Sequence, residues 1–312
     1  MYDGILLIGF GGPTERAEVR PFLKTVLKNR KVPPSRIDEV EHHYEICGGH
    51  SPFNELTIRQ SNALRIELEK SGVFVPIYVG MRNWHPFIAD ILREMSSKGI
   101  RNILGVIMAP HRTKASWDAY QTSVREALRR LGKDAPNVDY IGGWHDHPLF
   151  VGAAAERLNE TLNSIESSCI EKALFIFTAH SIPSEMARLS RYVEEFGESS
   201  AAVAESVGVK KWTMAYQSRS GNPSEPWLEP DVEEVIRAAA KRGDVDIFLI
   251  PIGFLCDHME VLFDLDVEAA EIAQEVGVRL HRAPTVSDHP KFIRMLREKV
   301  LEVYKKGHEQ LS

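Results

Sequence analysis

The chain has 312 residues, of which 43% are hydrophobic and 26% are charged, as in a globular protein with room for two domains. Its formal net charge of −6 gives no reason to expect nucleic-acid binding. The three cysteines, Cys47, Cys169 and Cys256, form no CxxC pair. They are too few for a four-thiolate iron–sulfur cluster and do not resemble a disulfide framework, so we expect a reducing compartment.

We expect a cytoplasmic protein. Met1 leads almost directly into an apolar run that begins at Ile5, which leaves no room for a signal peptide. The most apolar stretches, 103–110 and 248–256, are too short to span a bilayer.

Short apolar runs alternate with longer amphipathic ones, the pattern of parallel strands joined by crossover helices. Strands are predicted in the first half near 5–9, 75–80, 103–109 and 138–142, and in the second near 173–178, 213–217, 247–252 and 278–281. Helices are predicted at 53–71, 86–98, 230–241 and 290–306. The sequence therefore predicts an α/β fold with four strands in each half.

The equal number of strands suggests duplication of one unit, and a short echo supports it. Asp-His-Pro-x-Phe occurs at 146–150 and again at 288–292. The halves differ in the connection from their first strand to their second, which takes about 65 residues in the first half and about 34 in the second. A segment that long inside an α/β unit is either a binding element or an extra helix.

Glycines follow the first predicted strand at positions 9, 11 and 12. They lack both the G-x-G-x-x-G order and a GK[ST] ending, so nucleotide binding is disfavoured. A tight turn that lines a cleft fits the segment better.

Four acidic residues follow the predicted strand 247–252 at steps of three, four and four: Asp257, Glu260, Asp264 and Glu268. On a continuous helix that spacing places them along one face. A solvated helix face is the simpler interpretation. Open α/β sheets, however, bind ligands at the carboxyl ends of their strands, so we favour a row that handles a metal cation.

His180 closes the predicted strand 173–178 and precedes Ser181 and Pro183. A lone histidine there is more often structural than functional, but the acidic row begins at another strand end of the same half. A serine hydrolase built on Ser181 lacks a nucleophile elbow. The remaining histidines show no metal-binding pair of the H-x-x-x-H kind.

These segments together resemble the ferrochelatase family, enzymes that insert Fe²⁺ into a porphyrin. The resemblance runs in order through nearly the whole chain: 6–13, 48–52, 109–111, 178–183, 217–218 with 226–232, and 257–268. It implies two Rossmann-like, chelatase-type lobes with a cleft between them, each a four-stranded parallel sheet flanked by helices. The first lobe is 1–145 with a porphyrin-lid insertion at about 14–60, the second is 146–285, and a C-terminal helix at 286–312 packs back on the fold.

The resemblance also implies the site residues. The catalytic histidine and glutamate fall on His180 and Glu260, and the metal path adds Asp264 and Glu268. Porphyrin-contacting positions fall on Phe10, His43, Tyr44, Ser51 and Tyr120, and Arg30 is a candidate cation for the substrate carboxylates. His43 replaces an arginine of the family pattern. Phe10 replaces a tyrosine of some members, which removes an oxygen ligand for the product iron. Lys31, Arg112 and Lys114 are further candidates for binding substrate carboxylates.

Within the family the chain resembles the bacterial coproporphyrin III enzymes, because segment 24–43 is rich in Lys, Arg, Glu and His where membrane-associated members have a hydrophobic lip. The resemblance implies Fe²⁺ and a porphyrin as substrates, no prosthetic group, no stable membrane insertion, a monomer, and transient contacts with neighbouring haem-pathway enzymes. His180 is expected to face the ring from one side and Glu260 from the other. A protoporphyrin IX ferrochelatase, a cobalt chelatase for sirohydrochlorin and a non-enzymatic haem or metal carrier remain open.

Overall fold

The computed structural model describes residues 2–28, 33–220 and 225–309. Its strands are β1 (Gly4–Gly9), β2 (Ile77–Met81), β3 (Asn102–Ile107), β4 (Asn137–Tyr140), β5 (Leu174–His180), β6 (Trp212–Gln217), β7 (Asp246–Ile250) and β8 (Arg279–Arg282). All eight predicted strands are confirmed, with ends displaced by at most two residues.

The strands form two separate, all-parallel sheets of four. The first has the order β2-β1-β3-β4 and the second the order β6-β5-β7-β8. Adding four to each strand number of the first order gives the second, so the two halves share one topology. The α/β fold class and the duplicated unit are therefore confirmed.

The α-helices are α1 (Arg16–Val26), α2 (Pro34–Ile46), α3 (Phe53–Lys70), α4 (Ile88–Ser97), α5 (Ala119–Leu131), α6 (Pro148–Leu162), α7 (Ser167–Ile170), α8 (Ser184–Arg188), α9 (Tyr192–Val207), α10 (Val232–Lys241), α11 (Met259–Phe263), α12 (Ala269–Val276) and α13 (Pro290–Glu309). The four predicted helices correspond to α3, α4, α10 and α13. Helix α10 begins two residues later than predicted, because the Asp231 side chain accepts a hydrogen bond from the Glu233 N–H and caps the helix.

The Asp-His-Pro-x-Phe echo marks equivalent helix starts. In each copy the proline opens a helix, α6 or α13, and the histidine Nδ1 accepts a 3.2 Å bond from the N–H two residues on. Phe150 and Phe292 are both fully buried and both pack against Trp144. Helices α6 and α13 contact each other, and α13 also contacts α3.

One apolar core joins the two sheets. It contains Leu7 of β1, Phe177 of β5 and Phe248 of β7, and side chains from α3, α6, α9 and α13 complete it. No helix among the described residues combines the length and the apolar character needed to cross a membrane.

The long connection of the first half forms α1 and α2, with α3 after them. Helix α2 contacts α11 of the second half, and Phe22 and Tyr44 share an apolar cluster with Met259 and Phe263. The inserted segment is thus in contact with the helix that carries Glu260.

Candidate active site

His180 is the last residue of β5, a strand that is otherwise buried. The peptide that follows it is held by the next strand, because the Ser181 N–H donates to the Gln217 carbonyl at 2.7 Å. The imidazole is half-buried, and its Nδ1 is bonded to the Ser181 carbonyl. Since a carbonyl only accepts, Nδ1 carries a proton and Nε2 is the atom free for chemistry.

Gly253, in the loop after β7, permits a close approach beside this histidine. A Cβ at position 253 would lie 2.5 Å from the Ala179 Cβ, closer than two carbon atoms approach. The Gly253 N–H also donates to the Thr178 carbonyl at 3.0 Å. The loop that leads to Glu260 is thereby fixed against the end of β5.

Glu260 lies in the first turn of α11, facing His180. Its Oε1 is 3.7 Å from His180 Nε2, and its Oε2 is 3.4 Å from His258 Nε2. The Gln217 side-chain amide donates to the Glu260 backbone carbonyl at 2.8 Å. The two imidazoles come from the end of β5 and the residue before α11, and the carboxylate from α11, as expected for a site at the carboxyl edge of the sheet.

This short separation corrects the expected arrangement around the ring. A planar macrocycle needs about 3.5 Å to the nearest atom on each side, so groups on opposite faces lie about 7 Å apart. His180 Nε2 and Glu260 Oε1 are 3.7 Å apart. The expectation that they act from opposite sides is therefore wrong for this structure, in which both groups present to one side.

Charge couples the two groups. Burial by itself would lower the pKa of the His180 imidazole, but the Glu260 carboxylate, together with the Ser181 carbonyl and Asp264, outweighs burial and raises this pKa to about 8. Burial would raise the pKa of Glu260, but His180 and His258 hold it well below its ordinary value. At neutral pH the pair is thus an imidazolium beside a carboxylate, and His180 must lose a proton before it binds a metal or accepts another proton.

The acidic row is not one regular α-helix, which corrects the sequence-based expectation. Asp257 precedes α11, which begins at Met259, and α11 runs into one π-helical turn, Asp264–Glu268, before α12. A similar π-helical turn, Lys114–Asp118, precedes α5 in the first half. Because Asp257 lies before the helix, only Glu260, Asp264 and Glu268 remain in the row.

Asp264 and Glu268, which follow Glu260 in the row, are carboxylates with raised pKa values. Burial, followed by the carboxylates of Glu260 and Glu268, raises the pKa of Asp264 to about 7, although Ser218 donates a hydrogen bond to it. Burial and the Glu233 carboxylate also raise the pKa of Glu268. Raised pKa values indicate carboxylates that gain stability when a cation reaches them.

Asp257 has a structural role. Its Oδ1 accepts bonds from Arg282 at 3.0 Å and from the Thr285 N–H at 3.3 Å, while Asp266 forms two bonds with the same guanidinium. These contacts bond Asp257 to the end of β8 and to the loop that follows it. Among the described residues, no three His, Cys, Asp or Glu side chains form a preformed metal-binding group.

The predicted porphyrin-contacting residues fall around the same place from the first half. Tyr44, Ser51 and Tyr120 are buried, and the Glu260 charge contributes, after burial, to raising the pKa of both tyrosines. His43 stacks on Phe263, with ring centroids 3.7 Å apart, and Phe10 packs edge-on against Phe22. Arg30 and Lys31 lie outside the described residues.

The other two candidate cations, Arg112 and Lys114, differ in whether they are already engaged. Arg112 is bonded to the buried carboxylate of Glu195, so its guanidinium is already engaged. Lys114 is exposed at the π-helical turn before α5.

The Pro-rich loop before α10 supports the segment after His180. The Leu228 N–H donates to the Ile182 carbonyl, and Ser181 Oγ donates to the Leu228 carbonyl.

Sequence reasoning missed His258, Gln217 and Ser218 as site residues. His258 stands two positions before Glu260, and its Nδ1 donates to the Cys256 carbonyl at 3.2 Å, which aims Nε2 at Glu260. Gln217 ends β6, the strand next to β5, and Ser218 follows it, so their position beside His180 was the available signal.

The family model for ferrochelatase matches residues 2–304. The chain belongs to the ferrochelatase family. Its members insert Fe²⁺ into a porphyrin in haem biosynthesis, so this ferrochelatase is a metal-insertion enzyme with those two substrates.

Curated relatives cover nearly the whole chain. A ferrochelatase of Rhodopirellula baltica is 39% identical over 296 residues, which span 95% of this chain and 84% of that protein. A coproporphyrin III ferrochelatase of Streptomyces griseus is 37% identical over 319 residues, covering 96% of this chain and 85% of the relative.

A solved structure shares the fold at low sequence identity. SirB from Bacillus subtilis with Fe³⁺ superposes with a TM-score of 0.62 at 14% identity, covering 99% of this chain and 98% of that one. The chelatase-type architecture of two lobes is therefore confirmed for this ferrochelatase.

Proposed function

We propose that this ferrochelatase is a lyase that inserts Fe²⁺ into coproporphyrin III, with His180 and Glu260 as its catalytic residues. The observation that carries the catalytic assignment is the convergence of His180 Nε2 and Glu260 Oε1 at 3.7 Å. An imidazole and a carboxylate at that spacing supply both a proton acceptor and two ligand types for Fe²⁺.

Metallation requires the ring to lose two pyrrole protons and the iron to lose water. His180, once neutral, presents a lone pair at Nε2 because its Nδ1 proton is bonded to Ser181. Glu260 supplies a negatively charged carboxylate beside His180, and His258 lies against the other oxygen of that carboxylate. Because both groups lie on one side, we propose that iron enters, and protons leave, through that side of the ring.

Asp264 and Glu268 lead from Glu260 along the π-helical turn. They are half-buried carboxylates with raised pKa values, so each binds a hydrated cation more readily than a fully solvated acid of lower pKa does. We propose that they deliver Fe²⁺ through successive weak oxygen contacts. Phe10, His43, Tyr44, Ser51 and Tyr120, with Arg30, would bind the porphyrin from the other lobe.

Coproporphyrin III is favoured over protoporphyrin IX for two reasons. Several of the most similar curated relatives are named coproporphyrin III ferrochelatases. In addition, Arg20 pairs with Asp38 and Glu41 across α1 and α2, so the inserted segment carries ion pairs where a membrane-associated enzyme has an apolar lip. Coproporphyrin has four propionates and protoporphyrin has two, so the more highly charged coproporphyrin suits a polar inserted segment better.

The cysteines bear on the location of the enzyme and on its need for a cluster. The free cysteines, one of them buried, suit the reducing cytoplasm, and three thiols do not supply the ligands of a four-thiolate cluster. We propose an enzyme that acts as a monomer without a prosthetic group, binds no nucleic acid, and meets neighbouring haem-pathway enzymes transiently.

Steady-state insertion kinetics under anaerobic conditions test the substrate. We expect kcat/KM for coproporphyrin III to exceed that for protoporphyrin IX by about tenfold or more, equivalent to ~1.4 kcal/mol. Faster turnover of protoporphyrin would overturn the choice. Cobalt insertion into sirohydrochlorin at a higher rate would identify a different chelatase, and binding of haem without metallation of free porphyrin would identify a carrier.

A further inference from the structure

The first turn of α9 contains a hydrogen bond to the backbone of His180. The Tyr192 hydroxyl donates to the His180 carbonyl at 2.8 Å, and Tyr192 is only 6% exposed. This bond sets the plane of the peptide between His180 and Ser181. The imidazole is bonded to the Ser181 carbonyl, which belongs to the next peptide. Through Ser181, the orientation of the first peptide therefore influences where Nε2 points.

The same face of α9 is bonded to the first lobe. Glu195 and Ser199 follow Tyr192 at three and seven positions, the spacing of one helix face, and both are fully buried. Glu195 accepts a 2.8 Å bond from the Arg112 N–H and a 2.6 Å bond from Arg112 Nε. Arg112 follows β3 in the other sheet, so this ion pair joins the two halves.

Ser199 adds a second connection. It donates to the His145 carbonyl at 2.9 Å and lies 3.1 Å from His111 Nε2. His111 also packs edge-on against the Tyr192 ring at 5.9 Å. The start of α9 is therefore held between the end of β3 and the peptide that follows the catalytic histidine.

A buried carboxylate is costly unless its oxygens are satisfied, and apolar residues of similar volume often replace such pairs without loss of stability. The polar residues on this face of α9 are therefore better explained by a role in positioning neighbouring groups than by a contribution to stability. We propose that Tyr192 is a positioning residue for His180 and that the Arg112–Glu195 pair anchors Tyr192 to the first lobe. The inference rests on the proposed role of His180.

Tyr192→Phe is the direct test, and Tyr216→Phe is its matched control. Tyr216 is also buried near Phe196, but its hydroxyl forms no hydrogen bond with any described residue. We expect kcat of Tyr192→Phe to fall by about five- to tenfold, the size of effect expected from one ordinary hydrogen bond. KM for porphyrin and the melting temperature should remain close to those of the control.

Glu195→Gln tests the anchor. Its effect on kcat should be strongly reduced when Tyr192 is already phenylalanine, because both changes act on one path. Additive effects of the two changes would overturn the anchoring role. If Glu195→Gln does not fold, the comparison of the two tyrosine variants decides the inference alone.

The outcomes separate the inference from the proposed function. Equal kcat values for Tyr192→Phe and Tyr216→Phe, whether or not both are reduced, would overturn the positioning role. His180→Ala turnover at the wild-type rate would instead overturn the role of His180 itself. An inactive His180→Ala enzyme beside a fully active Tyr192→Phe enzyme would refute only the inference about α9.

Discussion

His180 Nε2 and Glu260 Oε1 lie 3.7 Å apart on one side of the site, with His258 on the far side of the carboxylate. This contact joins the end of β5 to α11, the helix that follows β7. Its energetic signature is a raised pKa for the imidazole and a lowered one for the carboxylate.

Replacing Glu260 by glutamine should abolish most turnover. The amide keeps the size of the side chain but removes the charge, so it neither accepts a proton nor binds Fe²⁺ as strongly. We expect kcat to fall by about a hundredfold or more, the usual range for loss of an acid–base group. Quenching of porphyrin fluorescence should show that porphyrin binding is retained. A variant that keeps a tenth or more of wild-type kcat would remove Glu260 from the chemistry.

Asp264 and Asp266 provide a matched pair for testing metal delivery. Both lie on the π-helical turn, but Asp264 faces Ser218 and Glu260 whereas Asp266 is exposed and bonded to Arg282. We expect Asp264→Asn to raise KM for iron by about tenfold, or ~1.4 kcal/mol, with KM for porphyrin unchanged. Asp266→Asn should leave both constants near wild type. Equal effects of the two changes would show that only the overall charge of the helix matters.

The rate of iron insertion should increase with pH through the neutral range. The pKa of His180 is raised to about 8, so the neutral imidazole accumulates only as pH approaches 8. The pKa of Asp264 is raised to about 7, so its carboxylate also appears as pH rises. Both changes favour metal binding in the same direction. kcat/KM for the metal, measured from pH 6 to 8.5, reports these groups in the free enzyme.

Asp264→Asn should simplify this profile. It removes the step near pH 7 and leaves the later step of His180, so the slope below pH 7 decreases. A wild-type profile that is flat between pH 6 and 8 would contradict both assignments.

Asp246 should contribute to stability and not to catalysis. It lies at the start of β7, is 4% exposed, and accepts bonds from Arg279 and His281 of β8. The bond from Arg279, the larger influence, lowers its pKa to about 2. The stabilisation is therefore complete above the ordinary pKa of 3.8 and is lost as pH falls through about 2.

Asp246→Asn should lower the free energy of unfolding by about 1–3 kcal/mol at pH 7, measured with urea, and nearly as much at pH 5. Glu275→Gln is the control, because it removes an exposed ion pair with Arg237 and should have no measurable effect. An Asp246→Asn protein as stable as the control would contradict the role of the buried pair.

The eight strands and the position of His180 could be predicted from the sequence because they depend on local residue pattern. Eight apolar runs of strand length predicted eight strands, and the end of such a run located His180 at the edge of a sheet. The π-helical turn was not readable, since it depends on which carbonyl each N–H reaches and not on side-chain spacing. The assumption of one continuous helix also included Asp257, which lies before the helix and bonds Arg282.

The sequence by itself determined the α/β class, the duplicated order of strands, the likeness to ferrochelatases and the pair His180 and Glu260. Only the tertiary structure decided that the two side chains lie within 3.7 Å of each other, that His258 and Gln217 hold Glu260, and that Tyr192 contacts the backbone of His180. These relations join residues distant in the chain, and their geometry follows from how the sheets, loops and α9 pack. Residue pattern specifies which face of an element is buried, whereas packing specifies which atoms meet there.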